Sequence, residues 1–198
     1  MGHSRTEKAE SRERILDAAA RQIRLGGLES IAIGELMKAA NLTHGGFYGH
    51  FPSRSALIAA ALDRAIENGE AAFAAAKPAR AGGTVKSILN RYLSAAHRDN
   101  AGAGCAVAAL AGDAGRAEDV EVRAAMARRL EQSFEDMSQA MGDGPEAEDA
   151  AVAAWCAMVG AITLSRVFQG TKRSDEILRM TRKTILELES RVREKPRS

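Results

Sequence analysis

Hydrophobic positions along this chain recur every three or four residues and do not alternate one-in-two, so the pattern predicts helices and no strands. A first helix is expected from about Thr6 to Leu25, where Ile15, Ala19 and Ile23 form a stripe flanked by Leu16 and Ala20. Ser4 and Glu7 have capping-box spacing, and Gly26-Gly27 supplies a left-handed stop. A short helix follows from Ile33 to Ala40, with Ile33, Leu36 and Met37 inward. Asn41, which tolerates left-handed backbone, closes it. The next short helix, Thr43 to His50, is expected to open on the Thr43 hydroxyl and to end before Phe51-Pro52. Ser53 then caps a longer helix reaching about Ala76, with Leu57, Ile58, Ala61, Leu62, Ala65 and Ile66 on its apolar side.

Ala79 to Gly83 reads as a linker. Thr84 caps a helix bearing Ile88, Leu89, Tyr92 and Leu93, which Asn100 to Gly104 break. A short helix from Cys105 to about Ala111 and a loop around Gly112 to Gly115 come next. An amphipathic helix over roughly Glu118 to Met141 places Val122, Met126, Leu130, Phe134 and Met137 on one face. Pro145, followed by Glu146, Glu148 and Asp149, starts an apolar helix running to Gln169. Ser174 is expected to cap the last helix, where Ile177, Met180 or Thr181, Thr184, Leu188 and Val192 keep near-3.5-residue spacing. The reading is an all-α fold of about nine helices, divided into residues 1–52 and 53–198.

Composition adds limits. With 45% hydrophobic and 27% charged residues the chain can build a core, and its four prolines fall at expected helix boundaries. A net charge of +2 selects no partner, because Glu7, Glu10, Glu13 and Asp17 alternate with the N-terminal basic residues. Two cysteines, Cys105 and Cys156, are too few for a disulfide framework and fit a reducing cytoplasm. The highly charged first fifteen residues hold no apolar leader core. The longest apolar run, Ala150 to Leu164, is shorter than the roughly 20 residues that cross a bilayer, so no membrane partner is expected. His44 and His50 lie too far apart for two metal ligands on one helix face. No nucleophile–base pair or phosphate loop is visible, so neither an enzyme nor a cofactor is expected.

Three short helices within the first fifty residues, the last two joined by a tight turn, have helix-turn-helix spacing, although any all-α protein can contain such a pair. The residues are more specific. The stretch LMKAANLTHGGFYGHFPSRSAL, Leu36 to Leu57, resembles the DNA-binding signature of the tetracycline-repressor (TetR) family, and Ile15-Leu16-Asp17-Ala18-Ala19 fits that family's first helix. The resemblance covers roughly residues 11 to 62. It implies that Thr43 holds a phosphate and His44 meets a base edge. It also implies that Gly45 and Gly46 let the backbone approach DNA, that Tyr48 places its hydroxyl on a phosphate, and that His50 and Arg54 add contacts. Phe47 and Phe51 are read as core. The chain departs from the family pattern at Ala32, Gly34 and Gly49, where larger or polar residues are usual, so direct readout rests on few side chains.

The resemblance further implies a homodimer on a near-palindromic operator, a small-molecule effector, and repression. The small residues Ala153, Ala157, Gly160 and Ala161, with Ile177, Thr181, Thr184 and Leu188 on the final helix, are the expected dimer interface. The expected effector pocket draws on Tyr92, His97, Cys105, Met126, Leu130, Phe134, Trp155 and Met158, a mostly apolar set that suggests a hydrophobic or aromatic ligand. Cys105, beside Gly104 at an expected helix start, is the residue an electrophile would modify; the alternative is a small buried thiol. Of another class altogether is a dimeric protein-interaction module, which would lack salt-dependent binding to duplex DNA.

Overall fold

The computed structural model describes residues 5–75, 84–102 and 104–194. Among them are nine α-helices, two 3-10 helices and no strand. The order is α1 (Arg5–Gly26), η1 (Leu28–Ser30), α2 (Ile33–Ala39), η2 (His44–Gly49), α3 (Arg54–Ala75) and α4 (Val85–Tyr92). There follow α5 (Ala95–Asp99), α6 (Ala106–Arg116), α7 (Val120–Met141), α8 (Pro145–Val167) and α9 (Lys172–Glu194). The expected capping residue Ser4 and the linker Ala79 to Gly83 lie outside the described residues.

Several expected boundaries hold for the expected chemical reasons. Gly27 leaves α1 at φ 81°, and Asn41 turns the chain at φ 58°. The Ser53 hydroxyl accepts the Ala56 N–H at 2.9 Å, and that of Thr84 accepts the Ser87 N–H. Pro145 sits in the first turn of α8, as expected; α7 starts at Val120, two residues later than the expected Glu118, because Asp119 caps it by accepting from the Glu121 and Val122 amides.

Four further boundaries differ. The segment after the tight turn is a 3-10 helix, and Thr43 makes no side-chain capping bond there; the turn closes through Gly46 N–H to the Thr43 carbonyl at 3.0 Å. The helix from Thr84 breaks at Leu93, because Ser94 caps a new helix by accepting the His97 N–H at 3.1 Å. α6 does not end at Ala111 but runs through Gly112 and Gly115 to Arg116. Burial of Leu110 and Ala114 and an Asp113–Arg116 pair at 2.6 Å offset the roughly 1 kcal/mol each glycine costs a helix. Ser174 caps nothing: α9 starts two residues earlier, and the buried Ser174 hydroxyl donates to the Ser165 carbonyl at 2.7 Å and accepts from Arg98 at 2.8 Å.

The buried residues form two clusters. The first joins Ile15, Ala19 and Ile23 of α1 to Leu36, Met37, Phe47, Phe51, Leu57 and Leu62, and continues into Leu110 of α6 and Met126 of α7. Core packing is therefore continuous across residue 52. The second joins Leu89 and Leu93 to Met137, Met141, Ala151, Ala154, Met158, Ile162, Leu178 and Ile185. Cys105 packs against both. On the surface, Arg64 pairs with Glu13 and Asp17 at one side of α3, and Arg129 with Asp63 and Glu67 at the other. Such exposed pairs add at most about 1 kcal/mol each. At 23 residues, α8 is longer than its apolar run suggested, and by length and composition alone it could cross a membrane.

Candidate nucleic-acid interface

η2 is held from beneath and bare on top. Phe47 and Phe51, 1% and 2% exposed, stack with ring centroids 6.0 Å apart and anchor the segment in the first core. Met37 lies under Gly46. On the outer side Thr43, His44, Gly45, Tyr48 and Gly49 are exposed, and Tyr48 presents 75% of its surface while touching Phe47 edge-on at 5.2 Å. Nothing lies within 4 Å of where a Cβ would stand on Gly45 or Gly49, so the backbone there is open to whatever approaches. His44 reaches back over α2, its Nδ1 3.5 Å from the Cβ position of Gly34.

Gly46 and His50 are half-buried. Arg54, also half-buried at the start of α3, reaches Glu29 at 3.4 Å, and Arg12 lies over the Phe51 ring at 4.9 Å. All seven residues expected at DNA thus fall on one short stretch and its exit, and two further cations, Arg12 and the exposed Lys38, stand nearby. What the surface offers is hydroxyl, imidazole and guanidinium groups around an uncovered backbone. These are groups that bind phosphate and base edges.

The residues expected to form a pocket are brought together only in part. Tyr92, 4% exposed, meets His97 at 4.5 Å and Trp155 at 5.2 Å, both edge-on. The His97 Nδ1 lies 2.6 Å from the Tyr92 carbonyl, and its Nε2 accepts the Cys105 N–H at 2.9 Å. His97 therefore caps the start of α6 where Cys105 itself makes no side-chain cap. Burial holds the His97 imidazole below its ordinary pKa, against the pull of its bond to Tyr92; burial and the adjacent Cys105 push the Tyr92 phenol well up. The Trp155 Nε1 and the Arg166 Nη2 are buried without a hydrogen-bond partner among the described residues.

Met126 and Leu130 belong instead to the first core, and Phe134 is half-buried further along α7, so these three do not join the Tyr92 group. Met158 is fully buried in the second core. Two open grooves of about 420 and 410 Å3 border α9, one lined by Leu93, Ser94, Arg179 and Arg182, the other by Arg182, Lys183 and Leu186. Neither is lined by the expected pocket residues.

Ala153 and Ala157 are exposed on α8, and nothing lies within 4 Å of the Cβ position of Gly160. With Val152, Leu164, Val167 and Phe168 they make an apolar stripe along one side of the helix. Ala161, by contrast, is 4% exposed and faces the second core, so it is not on that stripe. On α9, Thr184 is exposed and Ile177, Thr181 and Leu188 are half-buried beside the exposed Met180.

Residues 15–61 match the family model described as "Bacterial regulatory proteins, tetR family". Over 194 residues the chain is 31% identical to the HTH-type transcriptional regulator Rv0196 of Mycobacterium tuberculosis, covering 92% of this chain and 98% of that one. The chain belongs to the TetR family. Other comparisons agree with this. HTH-type transcriptional regulator AcrR of Shigella flexneri is 40% identical over 55 residues, 28% of this chain and 26% of that protein. A TetR-family regulator from Cytophaga hutchinsonii superposes with a TM-score of 0.75 at 20% identity, over 94% of this chain and 98% of its own. This TetR-family protein is accordingly a helix-turn-helix transcriptional regulator that binds DNA, in a family of regulators rather than enzymes.

Some residues of consequence were not found from the sequence. Arg24 donates to the Gly102 carbonyl at 2.9 Å and to that of Ala65, and Asp113 accepts the Leu28 N–H at 3.1 Å. Arg166 donates to the Arg98 carbonyl at 3.0 Å. Their partners lie 41 to 85 positions away in the chain, and no local pattern marks them.

Proposed function

We propose that this regulator is a homodimeric repressor that reads a near-palindromic operator and leaves it when a small hydrophobic or electrophilic effector binds. The observation that carries the DNA reading is the contrast within η2: Phe47 at 1% exposure locks the segment down while Tyr48 at 75% stands out beside open glycine backbone. In this reading residues 1–52 form the DNA-reading unit. Thr43, Tyr48 and Arg54 hold phosphates, His44 meets a base edge, His50 adds a contact, and Gly45 and Gly46 permit close approach.

The exposed stripe on α8, continued by Thr181, Thr184 and Leu188 on α9, supports pairing with a second copy. A solvent-facing Leu164 and Val167, 55% and 75% exposed, are what a second α8–α9 pair would cover rather than lipid. The two recognition segments then address successive major grooves. The protein works in the cytoplasm and needs no cofactor.

The effector site is assigned to the Tyr92–His97–Cys105–Trp155 group, whose buried Trp155 Nε1 offers an unused donor. An electrophile with an activated C=C double bond would take the Cys105 sulfur at its electrophilic carbon: the S–C bond forms as the C=C π bond breaks, and the thiol proton, relayed by solvent, ends on the neighbouring carbon. Footprinting on DNA flanking the gene's own start tests the whole reading. A protected palindrome, released by one member of a panel of apolar and electrophilic compounds, is the expected result. Cys105→Ser is expected to keep operator affinity while losing release by the electrophiles; unaltered release in that variant discards the covalent route.

A further inference from the structure

The helix-turn-helix, residues 33–49, is gripped at both of its chain ends by one corner of the body. Before it, Leu28 of η1 gives its N–H to Asp113 Oδ2 of α6 at 3.1 Å. After it, Ser55 in the first turn of α3 stands beside the side chain of Asp119, the residue that caps α7, and helps to hold that carboxyl below its ordinary pKa. Asp113 and Asp119 flank the short turn between α6 and α7. We propose that this corner is a two-carboxylate clamp, and that Asp113 and Asp119 are positioning residues that set the angle at which the recognition segment meets DNA.

The local construction supports this. Gly27 adopts φ 81°, and a Cβ there would come within 2.5 Å of Asp113 Oδ2, so the carboxylate sits directly on the backbone of the α1–η1 turn. Its second oxygen is held by Arg116 at 2.6 Å, which fixes the orientation of the first. Asp119 is fixed in turn by the α7 amides of Glu121 and Val122, at 2.8 and 3.4 Å. Neither carboxylate can follow the head without carrying a helix with it. α6, eleven residues and roughly 16 Å long, has this clamp at one end and the Cys105–His97 contact at the other. Arg24 adds a third tie, from the last turn of α1 to the Gly102 carbonyl just ahead of α6. A displacement at Cys105 thus has a rigid route to both ends of the reading unit.

The inference rests on the proposed dimeric DNA reading and is tested apart from it. The probes are duplexes carrying the footprinted half-sites, at native spacing or with one base pair added or removed at the centre, and a duplex with one half-site only. For the full-length protein, a one-base-pair change is expected to cost about tenfold in affinity or more. Ser55→Ala combined with Asp113→Ala is expected to shrink that cost to about threefold or less, with single half-site affinity unchanged. A folded double variant with the wild-type spacing profile would overturn the clamp. Should that variant not fold, Ser55→Ala alone decides, because it leaves Asp113 and the α7 cap in place. A relaxed profile supports the proposal and an unrelaxed one rejects it. Failure of the wild-type protein to bind any duplex is a separate result, and it removes the DNA reading itself.

Discussion

The two cores of this molecule are finished differently. The first, around Ile15, Phe47 and Leu62, is enclosed by its own helices, and its large side chains are at or near full burial. The second is built largely from alanine and methionine of α7 and α8, and its far side is left as a row of exposed apolar groups: Val152, Leu164, Val167 and Phe168. A single chain can complete the unit that shapes the recognition surface. It leaves unfinished the unit on which a second copy would pack. Stability of the DNA-facing end should therefore depend on packing within the chain, and stability of the other end on protein concentration.

The largest effect expected is at Phe47. Replacing it with Ala empties a site 1% exposed and should cost about 3–5 kcal/mol, abolishing duplex binding as η2 loses its anchor. Tyr48→Ala, one residue along, should leave the melting temperature within a degree or two while weakening duplex binding about tenfold. Equal losses of stability in the two variants, followed by thermal melting, would erase the distinction between the braced and the presented faces of η2.

Next in size is the open side of the second core. Leu164→Arg places a charge in the exposed stripe and should shift the protein to monomer in sedimentation, with helical content retained and operator affinity lowered at least tenfold. A Leu164→Arg protein that sediments as wild type would show that this face covers nothing.

The smallest effect concerns the seam where Cys105 touches both cores. The His97 pKa is lowered by burial from its ordinary 6.5, so the fold favours the neutral ring. Its contribution is complete above that pH and is lost as pH falls from there through the folded value. The melting temperature of wild type should drop more between pH 7 and about 5.5 than that of His97→Gln, whose carbonyl can still accept the Cys105 N–H. Parallel curves for the two proteins would contradict a buried neutral imidazole.

Much of this architecture is readable from spacing and caps, because those signals act within one turn of helix. The stripe Ile15, Ala19, Ile23, the stop at Gly27 and the left-handed Asn41 are local statements about backbone and burial. The break at Ser94 was equally local, but the hydroxyl competed with a continuing apolar stripe and the pattern favoured the stripe. Gly112 and Gly115 show the opposite case: packing of Leu110 and Ala114 outweighs glycine's weak helix preference. Ser174 has the residue type of a cap, and only its contacts with Ser165 and Arg98 show that it is interior. Of the site, the recognition stretch was found from its residues, whereas the Asp113–Leu28 contact spans 85 positions and exists only once the chain has folded.

The open space at Gly45 and Gly49 bears on which duplex is preferred. A Cβ added at either position meets no atom of its own protein within 4 Å, so the first atom of a side chain enters the recognition face without disturbing the Phe47 anchor. At Gly45, where bare backbone is proposed to approach DNA, the added atom would meet the duplex, whereas at Gly49 a longer amide or guanidinium group would address a base directly. A single replacement at Gly49 is thus expected to change which duplex is preferred while leaving the melting temperature unchanged.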